Sequence, residues 1–151
     1  MATVYNSLSS GDGMRVERPK ANLPQSAAAP IFTISGGNVI IYSIIGEVDT
    51  TAIQAQANNM KLISNPTTGA DVDLCAVLDI DGDAVGTMYH ITGTLADALI
   101  ATTSGAFGLQ NDPIIVAPGT IDLSCSASNT GKIKWTVFYS SEDSGAKIVK
   151  A

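Results

Sequence analysis

Charge is what this sequence has least of. Only 15% of its 151 residues are charged, where a soluble domain averages about 25%. Bases are scarcest of all: eight Lys and Arg stand against fourteen Asp and Glu, a formal net charge of −6. Between residues 31 and 130 the one base is Lys61, facing ten acids: Glu47, Asp49, Asp71, Asp73, Asp79, Asp81, Asp83, Asp97, Asp112 and Asp122. Binding nucleic acid depends on neutralising phosphates, so no nucleic-acid partner is expected. The remaining bases lie near the ends, Arg15, Arg18 and Lys20 on one side and Lys132, Lys134, Lys147 and Lys150 on the other. There they are either merely solvated or placed to reach a neighbouring copy or an acidic partner.

Other absences narrow the chemistry. No window approaches the run of about 18 apolar residues that a membrane helix needs, so no membrane partner is expected. The start, MATVYNSLSSGDG, has no basic segment followed by an apolar one, and does not read as a secretory signal. His90 is the one histidine, so a histidine-based metal site would need carboxylate or thiolate partners that no spacing indicates, and His90 reads as structural. GxSxG, GxxxxGK[ST] and a GxGxxG after a strand are all missing. With no assembly of nucleophile, base and oxyanion site, neither an enzyme nor a cofactor is expected. Cys75 and Cys125 lie in apolar strand-like runs without metal or CxxC spacing, which favours two reduced thiols over a disulfide. Asp79, Asp81 and Asp83 alternate as calcium ligands do, but an EF-hand loop from Asp79 needs Gly sixth and Glu twelfth. Ala84 and His90 stand there. The three aspartates remain a weak cation candidate beside the plainer reading of an acidic, solvated turn.

What is present is apolar and β-forming: 45% of residues are hydrophobic. The organising stretch is residues 72–92, VDLCAVLDIDGDAVGTMYHIT, where apolar runs flank Asp81-Gly82 as in a β-hairpin. Residues 31–34 and NVIIYSIIGEV read as strands on either side of Gly36-Gly37. Residues 51–64 alternate about Asn58-Asn59 and predict a hairpin, with a short helix over 51–62 as the competing reading. TLADALIATT, residues 94–103, is the best helix candidate, with Thr94 as cap and Asp97 in the first turn, and a strand as its rival. A last hairpin is expected over 121–139, with Trp135 as a core anchor. Residues 1–30, rich in Gly, Pro and small residues, predict an extended N-terminal arm before a body over 31–151. About nine short strands with closely spaced turn signals make this an all-β chain, a sandwich or barrel. A chain this apolar and this weakly charged is expected to hide surface in contacts with other chains.

IQAQANNMKLISNPTTGADVDLCAVLDI, GTMYHITGTLADAL and GTIDLSCSASNTGKIKWTVFY resemble small virion proteins of tailed bacteriophages, of the capsid decoration or cement type. The likeness covers most of the chain. It implies a β-sandwich or jelly-roll-like domain, a homotrimer on the outer surface of the virion, made in the host cytoplasm and partnered by the major capsid protein. It also implies a terminal arm that grips the capsid or neighbouring copies, with Arg15, Arg18 and Lys20 as first candidates for that grip. Rival readings are a head fibre or tail tube subunit, and a sugar- or cell-surface-binding sandwich. The last is weakened by an aromatic content of only 5%.

Overall fold

A computed structural model of the chain describes residues 15–151. Its regular elements are all strands. In chain order they are β1 (Arg15–Asn22), β2 (Ala28–Ser35), β3 (Val39–Val48), β4 (Asn59–Pro66), β5 (Val72–Asp73), β6 (Leu78–Asp79), β7 (Met88–His90), β8 (Ile100–Thr102), β9 (Ile114–Val116), β10 (Gly119–Cys125), β11 (Lys132–Ser141) and β12 (Lys147–Lys150). One antiparallel sheet runs β1-β11-β3-β7-β8, and β9 joins the other half of the β3 edge. The second runs β12-β2-β10-β4-β5, with β6 also on β4. The expected all-β sandwich is the fold of this chain.

Alternation builds the core. On β11, Ile133, Trp135, Val137 and Tyr139 turn inward, and on β3 Val39, Ile41, Ile44 and Val48 do the same. The opposite sheet answers with Phe32, Ile34, Met60, Leu62, Ile121 and Leu123. Burying such side chains supplies the main driving force for folding, about 1.5–3 kcal/mol for each Leu, Ile, Val or Phe. Trp135 is fully buried and needs a glycine across from it. A Cβ at Gly46 would lie 2.8 Å from the indole ring, so this strand position leaves room for no larger residue.

Gly36-Gly37 and Asp81-Gly82 mark turns as expected, but these turns do not make hairpins, and Asn58-Asn59 is no turn but the place where β4 begins. At 80–83 the Asp83 N–H donates to the Ile80 carbonyl at 3.2 Å, and Gly82 takes φ +70°. Yet β6, before that turn, pairs with β4, and β7, after it, pairs with β3 in the other sheet. β10 and β11 are likewise split between the two sheets, so residues 121–139 form an arch. Residues 51–58 are a loop, neither hairpin arm nor helix, and the strand begins at Asn59. Two strands with apolar inner faces can bury them side by side or across from one another, and this chain crosses over at each of these turns.

Two further expectations are corrected. Residues 94–103 form a turn followed by β8, not a helix. The Asp97 carbonyl and Leu99 N–H bond to Ala76, at 2.8 and 3.0 Å, and Thr92 Oγ1 donates to the Asp97 carboxylate. Partners on another segment thus replace the i→i−4 bonds that a short helix would have to nucleate. Of the expected arm, residues 1–14 lie outside the described part. The described residues 15–30 are no arm: β1 pairs with β11 from Arg15↔Phe138 to Asn22↔Lys132, and β2 begins at Ala28, ahead of the expected boundary at 31.

Candidate interaction surfaces

The fold brings together bases that lie near opposite ends of the chain. β1 and β12 are end strands of the two sheets and pack beside each other. Together they carry Arg15, Arg18, Lys20, Lys147 and Lys150 against Glu17 alone. The three expected grip residues therefore sit on an edge strand of the sandwich itself, and they do not form one cluster. Arg15 faces outward, bonded to Glu17 at 3.1 Å with its guanidinium 6.0 Å from the Phe138 ring centroid. Arg18, opposite Trp135, is half-buried, and this desolvation lowers its pKa. Lys20 is exposed at an irregularity in the pairing between Arg18 and Ala21. Pro19 there removes a backbone donor. Proline, charge and a bulge are the usual means by which a free strand edge is kept from pairing.

The opposite edge is built differently. Residues 71–112 hold Asp71, Asp73, Asp79, Asp81, Asp83, Asp97 and Asp112 with no base among them. Among the described residues, the same side carries most of the exposed large apolar side chains, Val72, Val77, Val85, Leu95, Ile100, Leu109 and Ile115, with Val149 on β12 the exception. Part of this surface is a groove of about 490 Å³ between the two sheets, with Pro66, Val72 and Leu74 on one wall and Leu95, Ile115 and Val116 on the other. No lining side chain is charged. β5 and β9, which flank the groove, each pair on one side only among the described strands. An apolar hollow between unpaired strand edges is a surface suited to protein contact.

The aspartate triplet is parted by its own turn. Asp79 Oδ1 accepts the backbone N–H groups of Asn58 and Asp81, at 2.9 and 3.2 Å. Asp83 accepts the Tyr89 hydroxyl at 2.6 Å. Burial, reinforced by that carboxylate, pushes the Tyr89 pKa far upward. Asp81 is exposed. Among the described residues no three His, Cys, Asp or Glu side chains are grouped to hold a metal ion. Cys75 and Cys125 are buried free thiols, and desolvation raises both pKa values, that of Cys125 to about 11. A protonated, enclosed thiol is a poor nucleophile.

His90 is held on the outer face of β7, where its ring stacks on Phe107 with centroids 4.3 Å apart and planes 12° apart. Its Nδ1 is buried with no hydrogen-bond partner among the described residues, and burial lowers its pKa. Phe107 belongs to a flap over residues 103–110 whose backbone makes no hydrogen bond to other backbone among the described residues. The flap's far end is pinned by Gln110, whose Nε2 donates to the Ile41 and Asp112 carbonyls.

Sequence reasoning missed a set of carboxamides. Asn58 exchanges two hydrogen bonds with the Ala127 backbone, Asn129 donates to the Gln54 and Gln56 carbonyls, and Gln25 donates to the Leu23 and Asn129 carbonyls. These bonds tie the β1–β2, β3–β4 and β10–β11 connections together without charge. The clue lay in IQAQANN and SASNT, where uncharged polar residues cluster at strand ends. With these surfaces defined, comparison with known proteins adds nothing further: no family model, curated protein or solved structure matches the chain.

Proposed function

We propose that this chain is a structural virion protein that binds the outer surface of a phage capsid at capsomer junctions and acts as a homotrimer, in the manner of a cement protein. The observation that carries the reading is the contrast between the sandwich's edges, one basic and closed to strand pairing, the other acidic, apolar and grooved. Such a pair of surfaces suits head-to-tail packing, in which one edge of each copy meets the other edge of the next, and a ring closes if the rotation allows. Strand order supports the jelly-roll form of the sandwich: β1-β11-β3-β7 face β2-β10-β4-β5, and the chain crosses between the sheets at most of its connections. That architecture is common among capsid proteins. Binding only to the assembled shell would stabilise that state by mass action, and several copies at each junction would add avidity.

The first test is the mass of the purified protein by light scattering at low and high salt. A closed trimer that loosens as salt screens the edges is the expected result, and a monomer at micromolar concentration would remove the basis of the reading. The second is co-sedimentation with capsids assembled from the major capsid protein of the genome that carries this sequence. Saturable binding to assembled capsids, and none to unassembled subunits, is expected.

A further inference from the structure

At the end of the sandwich tied by carboxamides lies an open pocket of about 350 Å³, lined by Asn22, Gln25, Thr51, Asn129, Thr130 and Gly131. The lining comprises amides, hydroxyls and backbone, with no charged, aliphatic or aromatic side chain. We propose that this pocket is a binding site for a neutral saccharide of one or two rings. The inference does not depend on the virion reading and stands or falls separately from it.

Three observations converge there. The first is unused bonding capacity. Among the described residues, the Asn22 amide and the Thr51 and Thr130 hydroxyls make no side-chain hydrogen bond, and Gln25 uses only its Nε2. The second is a rigid floor. Asn129 is fully buried, its Nδ2 is fixed on two carbonyls, and its Oδ1 has no donor among the described residues. Gly131 beside it takes φ +143°, and a Cβ there would come 2.6 Å from Ile53 Cδ1. The third is strain. Among the described residues only Ser26 (φ 51°) and Thr50 (φ 64°) are non-glycine residues in the left-handed region, and they adjoin the lining residues Gln25 and Thr51. Backbone strain of this kind concentrates at ligand sites, where the surroundings hold it in place.

The lining selects the ligand class. An ion would find no counter-charge, and an apolar molecule no wall against which to lose its water. A sugar hydroxyl both donates and accepts, as the amides and hydroxyls here do. The volume lies near the lower end of the range for ligand pockets, which suits a small saccharide. With no aromatic face to stack on, one site binds weakly, in the millimolar range, and presentation in several copies would raise the effective affinity.

The test is protein-observed NMR on the full chain, titrated separately with glucose, galactose, mannose, N-acetylglucosamine, N-acetylgalactosamine and the neutral disaccharides of these sugars. At least one should give saturable shifts at Asn22, Thr51, Thr130 and Gly131. Thr130→Val and Asn22→Leu, each leaving Trp135 emission unchanged, should weaken binding roughly fivefold for the hydrogen bond lost. No shift with any of these sugars, shifts confined to other surfaces, or binding unaffected by both substitutions would overturn the proposal. Tighter binding of glucuronate than of glucose would overturn the neutral class.

Discussion

The two edges of this sandwich meet the same physical problem with opposite solutions. Each must end a sheet whose last strand offers unpaired N–H and C=O groups to any passing strand. At β1 and β12 the strands pair along most of their length, broken in β1 by the irregularity between Arg18 and Ala21, and Pro19, Lys20, Lys147 and Lys150 guard them. Across the molecule the strands shrink to two or three residues, β5, β6, β7, β8 and β9, and apolar side chains stand exposed between acidic ones. The first edge resists strand pairing and offers charge. The second offers apolar side chains between acids, and head-to-tail packing would join the two through side chains and not through a shared ladder.

The largest test asks whether the second edge is as firmly part of the fold as the first. Trp135→Ala empties the core behind β1 and β3 and should cost about 3–5 kcal/mol. Leu99→Ala lies behind the Ala76 bridge on the acidic side, where Leu99 is 1% exposed, and should cost about 2–5 kcal/mol. Urea unfolding measures both. A Leu99→Ala cost below about 1 kcal/mol would show a loosely attached edge, and the comparison would then be one between a fold and its fringe.

A smaller effect tests complementarity directly. Lys20→Glu, Lys147→Glu and Lys150→Glu together should weaken self-association about tenfold or more, the scale of a lost set of interfacial charge pairs. Adding Asp71→Lys and Asp112→Lys at the groove rim should restore it, because only matched edges regain attraction. Ile115→Asp, at a residue 65% exposed, should leave unfolding within about 0.5 kcal/mol of the parent yet reduce association. Val149→Asp on the basic edge, at a residue 45% exposed, should reduce association less. Equal effects from the two would dissolve the distinction between the edges. Sedimentation equilibrium reads each case.

The edges also explain what the sequence hid. Residues 15–22 read as an arm because Pro19 and three bases look like linker composition, yet an edge strand is where a sheet tolerates those residues. The all-β class was legible in the alternation of β3 and β11 and in glycine turns such as Gly82. Which strands pair was not. A turn signal is local and reports that the chain reverses, whereas the partner of β1 lies more than a hundred residues away on β11. Apolar alternation is the same whether a strand is buried beside its neighbour or across from it. Charge asymmetry was half visible, since the bases at the two chain ends were evident but their meeting on one edge is a product of topology. The carboxamide-tied end was hidden for a similar reason. Asn58, Asn129 and Gln25 act on backbone groups of other loops, so nothing in their own neighbourhood announces them.

The smallest expected effect concerns the flap beside the second edge, which sharpens the comparison by asking how firmly that side is closed. His90 lies under Phe107 with Nδ1 unpartnered and its pKa lowered by burial. Its neighbours on the sheet, Ile45 and Ile100, are apolar, and the nearest carboxylate along β3, Glu47, is engaged by Lys134 at 3.6 Å. The unfolded chain takes up a proton near the ordinary histidine value of about 6.5, whereas the folded chain resists it until a lower pH. As pH falls below the unfolded value, the unfolded state therefore binds more protons and stability is lost, down to the folded pKa. Between pH 7 and 5 the melting temperature should fall by roughly a few degrees. His90→Leu removes the titrating group and should flatten that part of the profile. Protease cleavage within residues 103–110 should rise over the same interval in the parent and not in the variant. A profile unchanged by His90→Leu would place the acid sensitivity elsewhere and leave the flap held by packing alone.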